Sequence, residues 1–215
     1  MTTVVVVKKN GRAAIAADTM TVFGGTKVTS KYRSKRQKVL KVGKTFIALA
    51  GSCAHNNVFA SLLGRHHKQL SFQDPARIFE SYLHLHRILK EEYFLNPREG
   101  DDDPYESSQV DALVANQYGI FGMYSWREVF EYDRFWALGS GSSFALGAMY
   151  TVYDKLATAE QIAEAGILAG CEFDSSTGLP FTLETIPLVG SKRKTVRVVE
   201  PAPATARRSP LVLSK

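Results

Sequence analysis

The first eighteen residues constrain the architecture more than any other stretch. Thr3 to Lys9 is a β-rich run containing four consecutive valines, Val4 to Val7, and β-branched residues suit a packed, pleated strand. Asn10-Gly11 follows. That dipeptide favours a two-residue hairpin, because both central positions of a type I′ turn take positive φ. Arg12 to Asp18 then reads as the returning strand. Neither run alternates apolar with polar residues, which predicts burial on both faces. The chain therefore starts inside a sheet, an unusual place for a terminus.

Later elements come in groups. Gly24-Gly25 marks a turn, and Lys27 to Gln37 reads as a loop or extended arm. Lys38 to Val42, a Gly43-Lys44 turn and Thr45 to Ala50 form a second hairpin, ended by Gly51-Ser52. One helix is predicted from about Ala54 to Gln69. A second opens with Asp74 as N-cap and Pro75 at the first helical position, where its missing N–H costs nothing. Ile78, Tyr82, Leu85 and Leu89 give it one apolar face. After an acidic loop from Asn96 to Ser108, strands are predicted at Val110 to Ala115 and Ile120 to Trp126. Phe135 to Leu138 leads through Gly139-Ser140-Gly141-Ser142 into a helix from Phe144 to about Tyr153. Thr158 and Gln161 form a capping box for another helix. Asp174 to Gly178 is a tight polar turn, and Phe181 to Leu188 a final strand. Grouped elements of this kind predict an α+β fold with antiparallel sheets and segregated helices, not a doubly wound parallel sheet.

The 215 residues suit one domain, assigned to 1–190, with 191–215 as a basic, proline-containing tail. The tail carries the charge. From Ser191 to Lys215 there are seven basic residues and one acid, Glu200, and removing these from the chain's 27 and 21 leaves twenty of each in the body. A neutral body with a basic tail is weak support for nucleic-acid binding, so no nucleic-acid partner is expected. No apolar run approaches the roughly 20 residues of a membrane span, and no membrane partner is expected. Met1-Thr2-Thr3-Val4 lacks the features of a secretory signal. With only Cys53 and Cys171, a reducing cytoplasmic setting is expected. His66-His67 and His84-x-His86 lack the i, i+4 spacing of a helical metal pair, and Gly139-Ser140-Gly141 is not a full dinucleotide fingerprint. No metal and no cofactor are expected.

The start of the chain offers chemistry of its own. A small residue after Met1 permits removal of the methionine, exposing Thr2. A free N-terminal threonine carries nucleophile and base together: its hydroxyl attacks and its α-amine, with a reference pKa near 8, takes the proton. The device needs an amine held in place, which a buried first strand supplies, and a neighbouring cation that favours the free amine.

Thr2 to Val7, Asn10-Gly11 and Ala14 to Asp18, taken with Lys38-Val39-x-x-Val42, Ala50-Gly51, Gly139-Ser140-Gly141-Ser142 and Asp174 to Gly178, resemble the proteasome β-type subunits, especially the HslV-type bacterial proteases and the bacterial proteasome homologues. The likeness runs from residue 2 to about 188. It implies an N-terminal-nucleophile hydrolase fold, a four-layer αββα sandwich of two antiparallel sheets between helix layers. It also implies a threonine endopeptidase acting on peptides or unfolded proteins inside a homo-oligomer of two stacked rings, six or seven subunits each, with an ATPase or unfoldase as candidate partner. By resemblance, Thr2 is the nucleophile, Asp18 orients the N-terminus and pairs with Lys38, and Lys38 depresses the amine's pKa. Gly51 supplies an oxyanion N–H, and Ser140, Asp174 and Thr177 close a network around the amine. Thr21, Leu49 and Cys53 line the substrate cleft. Lys35 competes with Lys38, because the stretch after Gly25 is longer than in typical relatives. A structural ring subunit without activity is the alternative reading.

Overall fold

A computed structural model describes residues 2–34 and 38–190. Lys35 and the tail 191–215 lie outside the described residues. Strand β1 (Thr3–Lys9) turns through Asn10 and Gly11, at φ +47° and +73°, into β2 (Arg12–Asp18). A short hairpin follows, β3 (Thr21–Phe23) and β4 (Thr26–Val28), then a single turn of 3₁₀ helix at Ser30–Tyr32. Next come β5 (Val39–Val42), β6 (Thr45–Ala50), α1 (Cys53–His66) and α2 (Pro75–Tyr93). Strands β7 (Asp111–Ala115), β8 (Ile120–Met123), β9 (Val129–Tyr132) and β10 (Phe135–Gly139) precede α3 (Ser142–Val152), α4 (Ala159–Phe173) and β11 (Phe181–Pro187).

Two antiparallel sheets carry the fold. One has the order β10-β1-β2-β11 and the other β5-β6-β7-β8-β9. Their side chains sort into three apolar layers by the two-residue period of a strand. Val4, Val6, Ile15 and Ala17 meet Phe46, Ala48 and Leu113 between the sheets. On the other face of the first sheet, Val5, Val7, Ala14 and Ala16 pack against Met149 of α3 and Ile162 and Ile167 of α4. On the outer face of the second, Ile47 and Leu49 pack against Phe59 of α1 and Tyr82 and Leu85 of α2. Three cores between four layers make an αββα sandwich, so the α+β expectation holds. β1 lies between β10 and β2 with Val4 to Val7 fully buried, as its unbroken apolar run predicts.

The helix signals also hold. The Asp74 side chain accepts from the Arg77 N–H at 2.9 Å, and that of Thr158 from the Gln161 N–H at 3.2 Å. Two expectations need correction. Lys27 and its neighbours are not all loop, since Thr26–Val28 pairs with Thr21–Phe23 across the Gly24-Gly25 turn. The strand expected from Ile120 to Trp126 ends at Met123, where a turn closed by Arg127 N–H to the Tyr124 carbonyl (2.8 Å) reverses the chain into β9.

Candidate active site

Alternation along β1 sends the two threonines at its start in opposite directions. Thr2 shares the face of Val4 and Val6, toward the second sheet, where Lys38 stands just before β5. Thr3 shares the face of Val5 and Val7, toward α4. Each hydroxyl is buried, so each needs a polar partner.

The partners on the Thr2 side are ionic. Lys38 Nζ donates to Thr2 Oγ1 at 2.5 Å and to Asp18 Oδ1 at 2.8 Å, and Thr2 Oγ1 itself donates to Asp18 Oδ1. Asp18, at the end of β2, is fully buried and also accepts backbone N–H groups from Thr3 (3.1 Å), Met20 (3.0 Å) and Gly178 (3.4 Å). These bonds explain how a carboxylate can be held in an apolar core. Burial pushes the Lys38 ammonium below its usual pKa range; the adjacent Asp18 charge and hydrogen bond work in the opposite direction.

On the Thr3 side the groups are mainly hydroxyls. Thr3 Oγ1 and Thr177 Oγ1 are 2.8 Å apart, and Asp174 Oδ2 accepts from Thr177 Oγ1 (2.5 Å) and Ser140 Oγ (2.6 Å). Partial burial works against the Asp174 charge, but the bonds from Ser140 and Thr177 outweigh it and hold the carboxyl below its ordinary range. The Ser140 N–H donates to the Thr2 carbonyl at 3.0 Å. This close approach is open only because Gly139, at φ +92°, has no side chain.

Thus Thr2, Asp18 and Lys38 meet directly, while Ser140, Asp174 and Thr177 form one network tied to the Thr2 backbone and the Thr3 hydroxyl. Gly51 forms the turn from β6 into α1. Of the expected cleft residues, Thr21 and Cys53 are neighbours, with Cys53 Sγ 3.7 Å from Thr21 Oγ1. Leu49 is buried in the layer shared with α1 and α2, because its position in β6 puts it on the same face as Ile47. Two residues escaped the sequence reading. Thr3 was hidden by proximity to Thr2, although a second hydroxyl on the opposite face of a buried strand needs its own partner. Arg33, which donates to Thr21 Oγ1, carried no local signal.

Among the described residues no group of three or more His, Cys, Asp or Glu could hold a metal ion, and no helix is long and apolar enough to cross a membrane. The helix histidines make ordinary contacts: His84 meets Gln69 at 2.7 Å, and His86 meets Ser108 at 2.9 Å.

No protein-family model matches the chain. Among curated proteins, the ATP-dependent protease subunit HslV of Bartonella quintana (strain Toulouse) is 27% identical over 186 residues, spanning 86% of this chain and 89% of the relative. Among solved structures, Thiobacillus denitrificans BPH is 39% identical with a TM-score of 0.82, spanning 88% of this chain and all of that one. The chain belongs to the HslV-like proteasome β-type subunits. A structure of the Thiobacillus protein in complex with epoxomicin matches this HslV-like subunit at 38% identity and a TM-score of 0.79, over 87% and 100% of the two chains. The eukaryotic HslV of Trypanosoma brucei, at 17% identity and a TM-score of 0.64, covers 86% of this chain and 99% of its own and shares the fold.

Proposed function

We propose that this HslV-like subunit is a threonine endopeptidase that becomes competent when Met1 is removed. The observation that carries the reading is the buried Thr2 hydroxyl, bonded at once to the Lys38 ammonium and the Asp18 carboxylate. With Met1 gone, Thr2 Oγ1 attacks the substrate carbonyl and the Thr2 α-amine takes the proton. Lys38 favours the neutral amine by like-charge repulsion and stabilises negative charge growing on the oxygen. Asp18 fixes Lys38 and, through the Thr3 N–H, the start of β1. The Gly51 N–H serves the tetrahedral oxyanion, a role worth about 3 kcal/mol per donor. Ser140, Asp174 and Thr177 hold the first residues in position, and the Thr2 ammonium gives its proton to the leaving amine.

Thr21 and Cys53 line the cleft, and Leu49 fixes the end of β6 from the core side. The substrates are peptides or unfolded proteins, cut inside a cytoplasmic chamber of two stacked rings of this subunit, with an ATPase that unfolds and delivers them. The homologue named as an ATP-dependent protease subunit and the relative solved with epoxomicin support this reading. Intact mass combined with a covalent threonine-directed probe tests it. The expected result is loss of Met1 and labelling at Thr2, with neither labelling nor hydrolysis in Thr2→Ala. A Thr2→Ala variant that still cuts peptides overturns it.

A further inference from the structure

We infer that His55 is a positioning residue: its imidazole, drawn toward Asp111, closes the open side of the Gly51 turn and holds the Gly51 N–H where the growing oxyanion needs it. The inference rests on the peptidase reading above and extends it to a residue that acts through the turn.

Gly51 is exposed and sits at φ +107°, in the left-handed region that a glycine enters and leaves without steric cost. Its chain neighbours are tied down on both sides. Ala50 pairs with Asp111 at the end of the β6–β7 ladder. Ser52 is the N-cap of α1: its hydroxyl accepts the Ala54 N–H at 3.3 Å and its carbonyl the His55 N–H at 3.1 Å. Gly51 between them has no such bond to hold its peptide plane on the open side. Among the described residues, a side-chain carbon built on Gly51 would meet one atom within 4 Å beyond its chain neighbours, His55 Cδ2 at 3.9 Å. The ring is what flanks that side.

The ring also has a reason to stay there. His55 is half-buried in the first turn of α1, and Asp111 lies across the ladder from Ala50, so the two flank one turn from different elements. Burial pushes the imidazole below its ordinary pKa, while the Asp111 charge works toward protonation. The ring is therefore neutral at neutral pH and keeps one N–H for the carboxylate to attract. Asp111 is itself fixed, because its Oδ1 accepts the Ser125 N–H at 3.0 Å, and the Ser125 carbonyl accepts the Ser108 N–H at 2.6 Å. Burial raises the Asp111 pKa, and the Glu99 and Glu128 charges add to that rise. A half-buried carboxylate facing those charges gains from any donor turned toward it, with less screening than in bulk water.

The test measures kcat and KM for a fluorogenic peptide, and the affinity of a peptide boronate beside that of an uncleaved peptide amide of the same sequence. The enzymes are the full-length wild type, His55→Ala, His55→Phe, Asp111→Asn, the His55→Ala/Asp111→Asn double variant and Thr2→Ala. The boronate becomes tetrahedral when it takes the Thr2 oxygen and so needs the oxyanion donor, whereas the amide does not. His55→Ala is expected to lower kcat about tenfold, short of the roughly hundredfold that deleting an oxyanion donor costs, with KM within about twofold. It should weaken the boronate by a similar factor and leave the amide unchanged. His55→Phe, which keeps a ring without the N–H, should fall between His55→Ala and the wild type. Asp111→Asn should lower kcat alone but add little to His55→Ala, as coupled residues do. An unchanged kcat in His55→Ala, equal weakening of boronate and amide, or fully additive effects of the two single variants overturns the inference and leaves the peptidase reading standing. Cleavage that persists in Thr2→Ala overturns the peptidase reading itself.

Discussion

Gly139 passes so close to Thr2 that a side-chain carbon on it would lie 1.9 Å from the Thr2 carbonyl oxygen. That oxygen accepts the Ser140 N–H, and the Thr3–Gly139 pair is where β1 meets β10. Gly139→Ala combines this clash with a φ of +92° that alanine rarely adopts. The variant is expected to lose peptidase activity by at least about a hundredfold, since misplacing a nucleophile by about 1 Å costs that much. Activity within a fewfold of the wild type, measured on assembled protein, would show that the strand start is not held this tightly.

Lys38 and Lys35 compete for one role in the sequence; Lys38 is bonded to Thr2 and Asp18, and Lys35 lies outside the described residues. Lys38→Ala removes the cation from the Thr2 hydroxyl and strands Asp18 in the core, and breaking such a buried pair costs about 3–5 kcal/mol of stability. Activity should fall about a thousandfold or more. If Lys38 holds the role, Lys35→Ala should stay within about twofold of wild type. Steady-state rates, with thermal melts to register the stability loss, separate the two; equal mild effects would move the lysine role elsewhere.

The pH profile follows from two groups with opposite requirements. In the proposed mechanism the Thr2 amine must be neutral to accept a proton, and the nearby Lys38 ammonium favours that neutral form. Activity is therefore expected to rise with pH as the amine loses its proton. Lys38 must stay charged, and burial sets its own pKa below the lysine norm despite Asp18. Activity is then lost again at a lower pH than an exposed lysine would give. A bell-shaped plot of kcat/KM against pH is expected, with its alkaline limb displaced upward in Lys38→Arg. A profile flat from pH 6 to the alkaline limit would contradict the self-activating amine.

Away from the site, Tyr82 of α2 is fully buried and donates its hydroxyl to the Val110 carbonyl at 2.7 Å, just before β7. Burial pushes the phenol well above its usual pKa, so it remains a donor at every working pH. Tyr82→Phe should cost about 1 kcal/mol, the usual worth of such a bond. A urea titration should show a lower midpoint with an unchanged slope, while peptidase activity stays at wild-type level.

Much of this was readable from local chemistry. Asn10-Gly11, Asp74-Pro75 and Thr158 announce their own geometry, because turns and caps depend on a few adjacent residues. The valine run announces a central strand, because only full burial tolerates it. What stayed hidden depends on distant partners. β9 is a half-exposed edge strand (Phe130 is 53% exposed), so it lacks the apolar signature of its neighbours. Thr26–Val28 becomes a strand only through its partner across Gly24-Gly25. The Thr3–Thr177 contact joins residues 174 positions apart, and no spacing rule reaches that far. Ser140 and Asp174 were legible through family likeness, whereas Arg33 belongs to the lengthened arm, where that likeness gives no guidance.

The placement of β1 between β2 and β10 sets an order of events during translation. Thr2 is synthesised well before its flanking strand, which ends at Gly139, and the turn that holds Thr3 is made later still. A growing polypeptide therefore carries Thr2 and Asp18 without the rest of their hydrogen-bonded network until nearly the whole described body has been synthesised. On the proposed peptidase reading, nascent chains and the neighbours they meet before folding are thereby spared from being cut.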